Sequence, residues 1–210
     1  MIEIHLFVNP LGIRCFRCEN DVLKMDQQLN TQISYCFIPL FNMNTIQQTI
    51  QLYHLNQHSL VTRQQVVATL NQVIMDYIAA SFQGQKRGRR YLLLLQNEII
   101  CHNNAYNMAL VNSVAKSAGL DLEMFLEDRH SDLAKQAHQK DQQIAAELGV
   151  TKTASAVVFD SSEHNEGILI NDFDYESLIQ AMHDNYLDNE QSPQQFAKHY
   201  HHSLLKIIQK

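Results

Sequence analysis

The hydrophobic positions of this chain change period along its length, and the changes mark out the elements. Residues 2–8 read Ile-Glu-Ile-His-Leu-Phe-Val, an apolar run that predicts a first strand buried on both faces. Asn9-Pro10-Leu11-Gly12 interrupts it, because Pro10 lacks an amide hydrogen and cannot continue a central strand. From about Ile13 the period turns helical, with Phe16, Val22, Leu23 and Leu29 on one face and Glu19, Asp21, Lys24 and Asp26 expected elsewhere. Residues 33–40, Ile-Ser-Tyr-Cys-Phe-Ile-Pro-Leu, return to a strand pattern. With the first strand and helix they predict a parallel, right-handed βαβ unit.

The middle of the chain is helical in pattern. Residues 42–56 are transitional. Thr62, with Gln65 three residues on, is the expected N-cap of a helix carrying Val66, Leu70, Val73, Ile74 and Tyr77. Helices are predicted over 89–100, 103–118, 120–125 and 132–148, with Gly119 and Gly149 as stops. Strand patterns come back at 154–159 and 167–170 as an antiparallel hairpin, followed by a closing helix over 174–187. Beyond Pro193, Phe196, Tyr200, Leu204, Ile207 and Ile208 recur at three-to-four spacing and predict an amphipathic tail helix. Strands at both ends with helices between predict an α/β fold with an inserted helical block. Its sheet-bearing part is expected in residues 1–60 and 149–190, its helical block in 61–148 and its tail helix in 191–210.

Composition narrows the function. A chain of 210 residues at 45% hydrophobic content can bury a sizeable core. Its net charge of −6 argues against nucleic acid or an anionic membrane as the general partner. No apolar run reaches membrane-spanning length and the N-terminus has no basic start. A cytoplasmic location is therefore expected, with Cys15, Cys18, Cys36 and Cys101 reduced at rest. Cys36, inside the second strand, is read as a small buried hydrophobe.

Cys15-Phe16-Arg17-Cys18 is a Cys-x-x-Cys pair at a strand–helix junction, the setting of thiol–disulfide chemistry. It sits about one helical turn too late for that chemistry. The position of an attacking thiol, at the helix start, holds Gly12. Cys15 is near enough to the helix N-terminus to feel its dipole, and Arg14 and Arg17 add positive charge. Two cysteines three apart on a helix are neighbours, although helix backbones rarely allow them a disulfide. They form no zinc site by themselves, since two further ligands would have to come from elsewhere and no second Cys-x-x-Cys supplies them. The histidines at 199, 201 and 202 point to different helix faces and read as surface groups. No phosphate-binding glycine loop occurs, and no cofactor is expected.

The segment Phe7-Val8-Asn9-Pro10-Leu11-Gly12-Ile13-Arg14-Cys15-Phe16-Arg17-Cys18-Glu19 resembles the DsbA family of thioredoxin-fold proteins. Within it, the segment is most similar to the cytoplasmic branch that includes the YjbH/SpxH-type adaptors of the ClpXP protease. That branch carries Pro-Leu-Cys-x-x-Cys after the first strand. On this pattern Pro10 and Leu11 match, Gly12 replaces the first cysteine, Cys15 matches the second, and Cys18 stands where an ordinary helix residue is usual. Ala154, in Leu148–Phe159, stands where the family has the cis-proline of the loop before its later strand. The segment from Phe82 to Gln96 also resembles the adaptor branch, and the likeness covers most of residues 1–185. The resemblance implies a thioredoxin-like fold with a helical insertion, and its departures fall on the catalytic positions.

Lys86-Arg87-Gly88-Arg89-Arg90 places four positive charges in five residues of an acidic protein. Such a run is commonly a solvated helix start. At a helix N-terminus it also opposes the dipole, which favours a recognition patch for an acidic protein or anion. No aromatic residues interleave with it, which argues against nucleic acid.

Three functions follow. The first is a weakly catalytic or non-catalytic binding protein of the protease-adaptor type, open to regulatory thiol oxidation. It would bind through Gly12, Arg14, Ala154, Lys86, Arg87, Arg89 and Arg90. The second is a thiol–disulfide oxidoreductase or isomerase using a displaced Cys15–Cys18 pair. The third is a transferase or isomerase that holds a thiol ligand such as glutathione on backbone amides near Gly12. The sequence implies a protein partner and assigns no oligomeric state.

Overall fold

The structure is a computed structural model and describes residues 2–28, 33–160, 166–173 and 205–209. Strand β1 (Ile2–Val8) leads through the Asn9–Gly12 turn into helix α1 (Ile13–Gln28), and β2 (Ile33–Pro39) follows. Helices α2 (Met43–Leu52), α3 (Leu60–Phe82), α4 (Gln85–Gln96), α5 (Met108–Ala118), α6 (Leu122–Asp128) and α7 (Asp132–Glu147) come next. A π-helical turn, Asn97–Cys101, extends α4. The hairpin β3 (Ser155–Asp160) and β4 (Glu166–Asn171) and a final strand β5 (Leu205–Gln209) complete a five-stranded sheet in the order β2-β1-β3-β4-β5. β1 and β2 are parallel, with Ile2 opposite Ile33 and Val8 opposite Pro39, and the other pairings are antiparallel.

β1 is an interior strand, which explains why apolar residues occupy both of its faces from Leu6 to Val8. Ile4, Leu6 and Val8 pack with Cys15, Cys18 and Val22 of α1, while Phe7 packs on the opposite side with Ile38, Leu148 and Val157. All four of these β1 side chains are fully buried. The helical block has its own core around Leu70, Val73, Tyr91, Leu95 and Phe125. Buried Asp76 of α3 ties this block together. It accepts hydrogen bonds from Tyr91 and Tyr106 hydroxyls at 3.1 and 2.7 Å and pairs with the Arg129 guanidinium.

Several boundaries differ from the sequence reading. Ser59, and not Thr62, caps α3: its hydroxyl accepts the Thr62 amide at 3.2 Å, and Thr62 lies in the first turn. α4 starts four residues before Arg89. Gly84 makes the turn with a φ of 116°, and Gly88 lies inside the helix, where a Cβ would meet Ser81 of α3 within 2.2 Å. The absent side chain lets α3 and α4 cross closely. α5 begins at Met108, after Asn107 accepts the Leu110 amide at 3.0 Å.

The tail is a further correction. Residues 205–209, expected in an amphipathic helix, form a strand against β4, with Ile207 opposite Ile168. The short Leu-Lys-Ile-Ile-Gln segment carries a β-branched pair, and the open edge of β4 offers a row of backbone donors and acceptors. The expected closing helix over 174–187 and the rest of the tail lie outside the described residues. Among the described residues no helix is long and apolar enough to cross a membrane.

Candidate functional site

The β1–α1 turn is built around Asn9, a buried residue that sequence reasoning treated only as a strand breaker. Its side-chain oxygen accepts the Leu11 amide at 3.0 Å, and its side-chain nitrogen donates to Thr49 Oγ1 of α2 at 3.0 Å. Its backbone amide donates to Cys15 Sγ at 3.1 Å. Gly12 donates to Asn9 O at 2.9 Å and accepts the Phe16 amide at 3.0 Å, so it caps the start of α1. That is where a redox protein of this kind presents its attacking thiol. An ideal Cβ on Gly12 would lie 3.4 Å from Cys15 Sγ and 3.2 Å from the Asn9 carbonyl oxygen.

Neither cysteine of the Cys-x-x-Cys pair is presented to solvent. Cys15 is 2% exposed and Cys18 6%. Burial, opposed in part by the Asn9 amide, pushes the Cys15 thiol up to about 12. A thiol at that value is protonated throughout the physiological range and is a poor nucleophile. The two thiols also serve different partners, since Cys18 donates to the Phe173 carbonyl at 3.5 Å while Cys15 accepts from Asn9. Both are free thiols.

Glu19 overturns the sequence reading of its face. It was expected off the apolar face of α1, yet it is completely buried. Cys15, Cys18, Glu19 and Val22 fall at the spacing of a second inward face, turned to the sheet and to α4. The Glu19 carboxyl accepts the Gln96 side-chain amide at 2.9 Å, and burial raises it to about 8. Its other oxygen and the Gln96 side-chain oxygen are both buried without a hydrogen-bond partner among the described residues. A proton on Glu19 supplies the missing donor for this acid–amide pair.

The loop before β3 closes over the same place. The Thr153–Ala154 peptide bond is cis, at the position where the resembling family has a proline. Ala154 is fully buried beside Cys15 and Cys18, and its carbonyl accepts the Phe173 amide at 2.9 Å. The Thr153 hydroxyl donates to Gln48 of α2 at 2.8 Å. The structure thus brings Gly12, Cys15, Cys18 and Ala154 together. Arg14 is exposed and bridges to Asp172 at 2.7 Å, which joins α1 to the end of β4.

The basic run occupies the first turns of α4, where no acidic residue balances it and no side chain caps the helix. Lys86, Arg87 and Arg90 are exposed, and Arg89 lies 4.6 Å over the Tyr35 ring of β2. Among the described residues no carboxylate pairs with any of the four. Lys86, Arg89 and Arg90 line one end of an open trough of about 630 Å³ between α1 and α4. Tyr35, which carries Arg89, was not singled out in the sequence.

Comparison with known proteins agrees with this architecture. The family model described as thioredoxin matches residues 5–181. A ClpXP adapter protein, SpxH of Staphylococcus saprophyticus, is 32% identical over 173 residues, which cover 80% of this chain. The chain spans 60% of the length of that relative. Among solved structures, a candidate protein disulfide isomerase from Nitrosomonas europaea superposes with a TM-score of 0.65 at 14% identity, covering 90% of this chain and 98% of its own. The oxidoreductase DsbA of Xylella fastidiosa gives 0.58 at 12% identity, over 89% of this chain and 83% of its own. These structural likenesses bear on the fold.

Proposed function

The chain belongs to the thioredoxin family, and on that premise we propose that it is a cytoplasmic protein-binding module of the protease-adaptor type, with its thiol chemistry silenced. The observation that carries this reading is Gly12 at the start of α1 with Cys15 sealed behind it. The attacking thiol is absent, and the remaining one is buried and held protonated. The curated relatives named as ClpXP adapters support the adaptor role. Binding is assigned to the edge at Arg14 and to Lys86, Arg87, Arg89 and Arg90, whereas Gly12 and Ala154, expected to bind, are buried and only shape that edge. Four unbalanced cations speed encounter with an acidic partner, and the rate falls as salt rises.

The oxidoreductase reading needs Cys15 and Cys18 to exchange a disulfide, and their separate hydrogen bonds and burial weigh against it. No observation favours a thiol-ligand transferase. The adaptor reading is tested by adding the purified chain to purified ClpXP and a bacterial soluble proteome, then following protein disappearance by quantitative mass spectrometry. At least one protein should be degraded several-fold faster when the chain is present. Identical degradation profiles with and without it would overturn the reading.

A further inference from the structure

We propose that the trough between α1 and α4 seats an amphipathic α-helix of a partner protein, with that helix's acidic end on Lys86, Arg89 and Arg90. The proposal rests on the adaptor reading and names the chemistry of what is captured.

The trough has two walls and a floor of different origin. Phe16 and Leu23, seven residues apart, lie on one face of α1, and Leu93 and Leu94 lie on the facing side of α4. Tyr35 of β2 closes the base, with Arg89 stacked on its ring. The walls run in opposite directions. Glu19, near the start of α1, bonds Gln96 at the end of α4, whereas Arg89, near the start of α4, stands over Tyr35 near the start of β2. Charge is therefore segregated along the trough. The cations stand at the Leu23–Tyr35 end, and the Phe16–Asn97 end carries no charged lining residue.

These features fit one kind of occupant. The stretch from Lys86 of α4 to Asn97 at the start of the π-helical turn is three turns long, about 16 Å at the usual rise per residue. A third helix laid between two antiparallel helices packs its side-chain ridges into their grooves. It buries apolar residues at i, i+3 or i+4, and i+7 against Phe16, Leu23, Leu93 and Leu94. Its carboxylates belong at the cationic end, where the described residues supply none within ion-pair distance. Arg89 is already oriented by Tyr35 and loses little freedom on pairing. A chain of net charge −6 that gathers, beside an apolar trough, cations with no carboxylate partner among the described residues is complementary to an acidic, amphipathic segment.

The test uses the full chain and a fluorescein-labelled 16-residue helical peptide, with leucines at i, i+3, i+4 and i+7 and glutamates clustered at one end. An isomer has lysines in place of the glutamates. By fluorescence anisotropy the acidic peptide should bind wild type at least tenfold more tightly than the lysine isomer, and more weakly as salt rises. The double variant K86E/R90E should reverse that preference at unchanged melting temperature, since both side chains are exposed. Equal binding of the two peptides by wild type would overturn the proposal. So would an unchanged preference in the variant, or a fall of several degrees in its melting temperature, which would mean that this chain fills its own trough. Accelerated ClpXP degradation without peptide discrimination removes the trough proposal and leaves the adaptor reading. Peptide discrimination without accelerated degradation removes the adaptor reading alone.

Discussion

Gly12→Cys should convert this chain into a dithiol protein that forms a disulfide between positions 12 and 15. The backbone is ready for it. Gly12 caps α1, its φ lies outside the left-handed region, and a Cβ there stands 3.4 Å from Cys15 Sγ. Disulfide geometry needs the two Cβ atoms about 3.5–4.5 Å apart with an S–S bond of about 2.0 Å, so small side-chain adjustments suffice. The contacts to Asn9 at 3.2 Å require that residue to give by a few tenths of an ångström. The new thiol would sit at a helix N-terminus with no acidic residue in the first turn and with Arg14 and Arg17 nearby, conditions that lower a thiol pKa. After equilibration with oxidised glutathione, the variant should show two fewer free thiols than its reduced form. It should also reduce insulin at least tenfold faster than wild type. A variant that keeps all its thiols free under these conditions would show that residue 12 alone does not decide the chemistry.

Stability should fall as pH rises from 6 to 8, and Glu19→Gln should remove most of the fall. The folded carboxyl is raised from 4.5 to about 8, chiefly by burial. Below the unfolded value both states are protonated and the group has no effect on stability. Between the two values the unfolded chain releases its proton while the folded chain keeps it. Each pH unit then costs about 1.4 kcal/mol, and the loss levels off above the folded value. Asp141, raised to about 6 by burial, contributes with the same sign at lower pH, and His138, lowered by burial, contributes with the opposite sign near its ordinary value, so the difference between wild type and Glu19→Gln is what isolates Glu19. The neighbours facing Glu19, Cys15 and Tyr77, are themselves pushed upward by burial and stay neutral there. A glutamine at 19 pairs with Gln96 amide to amide and has no proton to lose. Its melting temperature should be nearly flat across the window and, at pH 7.5, about 5 °C or more above wild type. Parallel pH profiles for the two proteins would show that Glu19 is not the titrating group.

The strands were legible because β1 and β3 are interior and rich in buried apolar residues, and because β2, although at the sheet edge, buries its second half from Phe37 to Pro39. The empty attacking position was legible too, since it needs only the spacing of Gly12, Cys15 and Cys18. Glu19 was not, because α1 buries two faces. Cys15, Cys18 and Val22 meet the sheet while Phe16 and Leu23 meet the trough, and a one-face reading assigns the rest to water. Cys15, Cys18 and Val22 at helical spacing were the available signal. The start of α4 was hidden by Gly88, which looks like a breaker until Ser81 is seen packed against it. Residues 205–209 were misread because three-to-four spacing over a few residues does not separate a helix from a short edge strand. Tertiary pairing with β4 decided it.

Per-residue alkylation of the native chain tests most directly whether this thioredoxin shell works without thiol chemistry. The folded protein is treated with iodoacetamide at pH 8 and each cysteine is followed by mass spectrometry. Exposed Cys101 should be modified within minutes, while Cys15 and Cys18 should stay unmodified until the chain is unfolded. Alkylation of Cys15 in the folded chain as fast as Cys101, persisting at pH 7, would reveal an accessible thiolate and contradict the account.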